Sequence, residues 1–228
     1  MKTKNIRFVL WFLVLLAGTH VTLVKIIGTS TSMLTGIACI FPVLGALLPL
    51  SLVSGSIFSC LALKFLIKGL PFTLGLPTIF ATLAWTCSTN ATRNLYAKIG
   101  DLFFHLVLPA MCMTIFMLHP LSQTAWPYAL YWLIPPALWI LRTYANINCV
   151  FFAALASSFI AHATGSILWV FFRPLPAAQW LALIPVVAME RLALAICATA
   201  TYYGIIKITT LATKTKKDKQ AHTKHYNM

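Results

Sequence analysis

Acidic residues are almost missing from this chain: 228 residues hold three, Asp101, Glu190 and Asp218, against 17 Lys and Arg. Charged residues of both signs amount to 9%, where a soluble domain carries about a quarter. That scarcity excludes a soluble globular domain. There is no His-Glu-x-x-His, no Walker phosphate loop and no pair of aspartates within an apolar run, so the usual sequence signatures of zinc peptidases, phosphate-loop NTPases and aspartyl intramembrane proteases are lacking. The six cysteines, Cys39, Cys60, Cys87, Cys112, Cys149 and Cys197, lie at least 21 residues apart. That spacing fits neither a Cys-x-x-Cys metal or redox motif nor a short-loop disulfide framework, and we expect no metal and no cofactor.

What the chain has in excess is apolar residues: 60% of the total, with mean hydropathy +0.88. The pattern predicts an all-α, polytopic transmembrane helical bundle of six to eight membrane segments, some of them short or broken by Pro and Gly. A single transmembrane domain over residues 1–206 is expected to precede a basic, disordered cytoplasmic tail over 207–228. The net charge of +14 does not point to nucleic acid, because the basic residues gather at the ends and in loops and form no face interleaved with aromatics. Topology accounts for it better, since cytoplasmic loops collect Lys and Arg.

The opening residues MKTKNIR and the apolar run after them have the shape of a signal peptide but lack a clear small-x-small cleavage site. We read Phe8 to Val24 as the first membrane helix. Met33 to Leu48 and Ser51 to Ile67 follow as short apolar runs, and Gly69, Pro71, Gly75 and Pro77 interrupt the next. Ser88 to Asp101 reads as the longest polar loop. Leu102 to Leu118 reads as a span with a boundary pair between Asp101 and His105. Trp126 to Leu141 should be a broken helix because of Pro135 and Pro136. With both ends in the cytoplasm and eight spans, Lys2, Lys4, Arg7, Arg93, Lys98, Arg142 and the tail lysines all fall inside; only Lys25, Lys64, Lys68 and Arg173 fall outside.

The polar chemistry concentrates in Asn148 to Ile206, read as a helical hairpin turning at Pro174 to Gln179. On its first helix Ala154, Ser158, His162 and Ser166 recur every four residues and share one face. Ala153, Ser157, Ala161 and Gly165 form a neighbouring ridge of small residues, a helix-packing face. The second helix carries Glu190 and Arg191. These two and His162 lie roughly 15 Å from the turn, near mid-bilayer, where a charge costs on the order of 3 kcal/mol unless it faces a partner or a wet cavity. We therefore expect His162, Glu190 and Arg191 to point inward, Glu190 facing His162, and to form a ligand-binding site with Ser158 and Trp169. Neighbours on a helix diverge by about 100°, so Glu190 and Arg191 need not pair. Trp169 and Trp180 would cap a flat ligand or sit in the interfacial belt.

The run from Ala153 to Trp169, the run from Trp180 to Arg191 and the Gly/Pro-rich stretch from Gly69 to Ala81 resemble the substrate-binding S-components of energy-coupling-factor uptake transporters. The resemblance is one of pattern across about Met33 to Ile206. It implies a non-catalytic, multi-pass subunit of a bacterial cytoplasmic membrane that binds a vitamin-like or other small solute. It also implies a transmembrane coupling subunit and two ATPases as partners. S-components commonly have six helices, and up to eight apolar segments are counted here. Two other classes compete with it: a non-catalytic structural or channel subunit, and an intramembrane lipid-modifying enzyme.

Overall fold

A computed structural model describes residues 22–25, 33–35, 37–48, 52–53, 55, 76–90, 95–120, 122–172 and 175–226. The described chain is helical apart from one small antiparallel ribbon, β1 (Thr22–Lys25) with β2 (Met33–Thr35). Three helices are long and apolar enough to cross a membrane: Leu95–Leu118, Val150–Phe172 and Ile184–Leu211. The expected first helix and the Ser51 to Ile67 segment fall almost wholly outside the described residues. Where they are described there is one correction: Thr22 to Val24, expected at the end of a helix, are extended, in keeping with the strand preference of β-branched Thr and Val.

Helix α1 (Ile37–Leu47) contains Pro42 and packs on α2 (Leu76–Asn90). The approach is close because residue 45 is glycine. A Cβ there would run into the Thr82 carbonyl oxygen and come within 2.7 Å of the Thr86 hydroxyl. Both threonines turn their hydroxyls back onto their own helix, Thr82 to the Thr78 carbonyl (2.7 Å) and Thr86 to that of Thr82 (2.8 Å), so no donor is left bare at the contact. Pro77, in the first turn of α2, suits a helix start because it has no amide hydrogen to satisfy. The Gly69 to Gly75 stretch before it lies outside the described residues.

Helix α3 (Leu95–Leu118) begins seven residues earlier than expected, so much of the predicted polar loop is helical. Its middle, Phe103–Val107, is a π turn closed by the Leu108 amide donating to the Phe103 carbonyl. Pro109 explains the widening, since in an α-helix its ring would clash with the carbonyl of residue 105 and it has no amide to donate. The helix stops at His119, which is extended (ψ 128°) immediately before Pro120, as the residue before a proline prefers.

The expected break near the paired prolines is present. A 3-10 turn (Gln123–Ala125), one α turn (Trp126–Ala129) and another 3-10 turn (Leu130–Leu133) lead into α4 (Ile134–Tyr144), whose first turn takes up Pro135 and Pro136. After α4 the chain turns at Asn146, the one non-glycine residue with positive φ (53°) among the described residues, a conformation Asn tolerates better than most. Then come α5 (Val150–Phe172), the short α6 (Ala177–Ala182) and α7 (Ile184–Tyr226).

α7 runs on past its apolar part. The basic stretch from Lys207, predicted to be disordered, continues the helix to Tyr226. No Pro or Gly follows Gly204, and Lys, Ala and Gln are strong helix formers.

Two cores hold the bundle. At one end Phe116, Tyr128, Trp132 and Trp180 interlock, with Phe116 5.2 Å from both indoles and Tyr128 4.9 Å from Trp180. Trp180 is therefore interior, neither a belt residue nor a ligand cap. At the other end the small side chains of Val43, Ala154, Ala195 and Ala198 pack around Trp85 where α1, α2, α5 and α7 meet. Outward, Val107, Met111, Ile115 and Leu118 are exposed along one stripe of α3, and Met189, Leu192 and Ile196 along α7. Lipid would solvate these surfaces at no cost.

Candidate functional site

Two polar constellations lie among the described residues, one midway along the hairpin and one at its open end. The first contains the residues singled out by sequence. Ser158, His162 and Ser166 are all buried on one face of α5. Glu190 and Arg191 on α7 turn inward, their side chains only 10% and 11% exposed. Helices α5 and α7 touch through the pair Ser158 and Arg191: Arg191 Nη1 donates to the Ser158 carbonyl at 3.4 Å, and Ser158 Oγ reaches the Arg191 carbonyl at 3.5 Å as well as that of Leu155 at 2.9 Å.

The expected partnership of Glu190 with His162 is not formed. Glu190 Oε2 instead accepts from Arg191 Nη2 at 2.6 Å. Adjacent residues point about 100° apart at the backbone, but both side chains are long enough to curl together, and an ion pair relieves two buried charges at once. His162 packs against the rings of Tyr128 (5.3 Å) and Phe159 (6.3 Å). Tyr128 and Ser166 share a hydrogen bond of 3.3 Å. Three atoms of this group are buried without a partner: His162 Nε2, Glu190 Oε1 and Arg191 Nε. Beside Arg191 lies a void of about 30 Å³, lined in part by Thr78, Ala81, Ser157 and Ser158, large enough for one or two waters.

Trp169 does not join this group. It packs on the aromatic core that contains Trp180. The small-residue ridge faces α2: a Cβ on Gly165 would stand 3.5 Å from Pro77, and Ser157 and Ala161 line the narrow void with Thr78 and Ala81.

The second constellation was read from sequence only as the pair Asp101 and His105. That pair exists: His105 Nδ1 lies 3.2 Å from Asp101 Oδ1 and 3.0 Å from the Asp101 carbonyl, to which its hydrogen-bond geometry is directed. The structure adds three partners from distant segments. Trp139 Nε1 donates to Asp101 Oδ2 at 2.8 Å, Arg142 forms an ion pair with the same oxygen, and Arg142 also donates to Ser88 Oγ. Asp101 is thus the hub joining α2, α3 and α4. Its scarcity was the available signal, because a lone acid four residues from a histidine in an apolar chain needs a cation, and Arg142 is the first Lys or Arg that follows it in the chain.

Beside this hub opens a cleft of about 310 Å³, lined by Arg142, His105, Ser88, Asn148, Trp85 and Trp139 among others. No group of three His, Cys, Asp or Glu side chains that could hold a metal occurs among the described residues.

Comparisons with protein families, curated proteins and solved structures return no match to this chain.

Proposed function

We propose that the chain is a multi-pass membrane subunit that binds a small polar solute between α5 and α7, in the manner of an energy-coupling-factor S-component. In this reading six to eight segments span a bacterial cytoplasmic membrane with both termini on the cytoplasmic side. Uptake depends on a transmembrane coupling subunit with ATPases, and the chain itself is not a catalyst.

One observation carries the reading: the orphaned polar atoms His162 Nε2, Glu190 Oε1 and Arg191 Nε gather where two candidate spans meet. An unsatisfied buried polar group costs about 1–3 kcal/mol, and intramembrane ionisable groups usually mark a pathway or a site. A polar occupant offering both a donor and an acceptor would satisfy them together. The adjoining void, about 30 Å³, is too small for a solute, so entry requires α5 and α7 to part at the long Arg191 and Ser158 contacts. Ser158 and Ser166 would supply further hydroxyls once the site opens.

That small void also favours a second reading, a structural subunit in which the cluster only joins helices. Mass spectrometry of small molecules retained after detergent extraction, with affinity capture of ATPase subunits, separates the two. A solute-binding subunit retains a ligand that Glu190→Gln releases; a structural subunit retains none. Undiminished retention by Glu190→Gln would remove the assigned site.

A further inference from the structure

The 310 Å³ cleft beside the Asp101 hub is separate from the cluster around Glu190 and takes no part in the function proposed above. Its volume lies at the small end of ligand sites, which run from roughly 300 to 1,000 Å³. Helix α3 contributes one residue to its wall, His105. This histidine is the middle residue of the π turn Phe103–Val107, and such widened turns are frequent at functional sites. Its side chain is 3% exposed.

One edge of the ring is fixed. Nδ1 faces two oxygens of Asp101, the carbonyl at 3.0 Å and Oδ1 at 3.2 Å. A carbonyl only accepts, so Nδ1 carries the proton. Arg142 already balances the Asp101 carboxylate, and a neutral ring leaves the buried group without surplus charge. Nε2 is then a lone-pair acceptor. It has no hydrogen-bond partner among the described residues, and its ring forms part of the cleft wall. The hub thus uses Asp101 to hold helices together and leaves one buried, oriented acceptor over.

The rest of the wall limits what can meet that acceptor. Trp85 and Tyr202 are stacked with ring centroids 6.3 Å apart, and both line the cleft with Phe152 and Trp139. The Trp139 N–H donates to Asp101, so its indole meets the cleft as apolar surface. Aromatic walls favour a flat ring. Arg142, the one formal charge in the wall, repels a cationic donor such as an ammonium group. A carboxylate brings no proton for Nε2. An uncharged ring bearing O–H or N–H remains, and a phenol suits the site better than an indole, because donation leaves negative charge on its oxygen in a cleft of positive sign.

We infer that this cleft binds a phenolic ring whose hydroxyl donates to His105 Nε2 and whose face lies against the Trp85 and Tyr202 pair. Val150, where α5 enters its candidate span, is also in the wall, at a level that lipid and water share. The phenol is therefore either the headgroup of a membrane-dissolved molecule or a small soluble one, and both present the same recognition chemistry.

The test compares each phenol with its own methyl ether, which keeps the ring but has no proton to donate. The full chain is placed in phosphatidylcholine nanodiscs, and bound ligand is read by native mass spectrometry against empty discs. One arm dissolves para-dodecylphenol or its methyl ether in the disc; the other adds para-ethylphenol or its methyl ether to the buffer. In at least one arm the phenol should be retained about fivefold or more over its ether, and that arm identifies the source. His105→Leu removes the acceptor and should bring the ratio to about one. The proposal is overturned if neither phenol exceeds its ether, or if His105→Leu preserves the preference. The ratio on the unaltered chain is decisive even where the variant folds poorly. Neither result bears on ligand retention at Glu190, which is read separately.

Discussion

The two polar groups are built to opposite rules. At the open end Asp101 gathers partners from segments 38 and 41 residues away, Trp139 and Arg142, so its bonds define the tertiary fold. In the middle the ion pair joins Glu190 to its own neighbour, Arg191, and reaches the next helix only through the long contacts of Arg191 with Ser158, 3.4 and 3.5 Å. Breaking the first should loosen the bundle, whereas removing the second as a whole should leave the fold standing. A polar group bonded closely across elements serves architecture; one held by a neighbouring residue and by long contacts across helices is free to serve a ligand.

The largest effect is expected from Arg142→Met, which strands the Asp101 carboxylate in the interior. Loss of one partner from a buried pair costs about 3–5 kcal/mol, to be read from denaturant unfolding in detergent. Adding Asp101→Asn should recover a good part of that loss. If Arg142→Met unfolds like the unaltered protein, the hub is no lock.

Next come Glu190→Leu and Arg191→Leu singly, each leaving one charge among helices at a cost of about 2–3 kcal/mol. The double substitution should return to within about 1 kcal/mol of the parent, while retained ligand is lost. A double variant as unstable as the worse single one would place the pair among the fold's supports and end the contrast.

The smallest and sharpest comparison is between the two buried histidines. His105→Leu gives up the bond to the Asp101 carbonyl and should cost about 1 kcal/mol. His162→Leu discards a ring whose Nε2 has no partner and should be neutral or stabilising by about the same amount. Thermal unfolding of the pair side by side gives the answer, and equal losses would mean that His162 has a partner of its own.

Apolar periodicity and length were enough to read the helical character, the closing hairpin and the inward turn of His162, Glu190 and Arg191, because hydrocarbon leaves few alternatives to a helix and penalises an outward charge. Three things were not legible. The pairing of Glu190 depends on side-chain reach, which backbone angle alone does not give. The burial of Trp180 depends on Phe116 and Tyr128, brought in from 64 and 52 residues earlier in the sequence. The Asp101 hub depends on three helices converging, and local spacing revealed only its contact with His105. Apolar faces can be read from one stretch of chain, but partners for rare charges require the assembled bundle.

The last helix runs unbroken for 43 residues, about 65 Å at 1.5 Å per residue and roughly twice the hydrocarbon thickness. Its 15 residues beyond Leu211 reach about 22 Å further. It works geometrically as a mast stepped beside Arg191: a lean of about 10° carries the far tip sideways by about 4 Å over that outer length alone. Any rearrangement that prises the mast's foot from α5 is thus enlarged at its far tip.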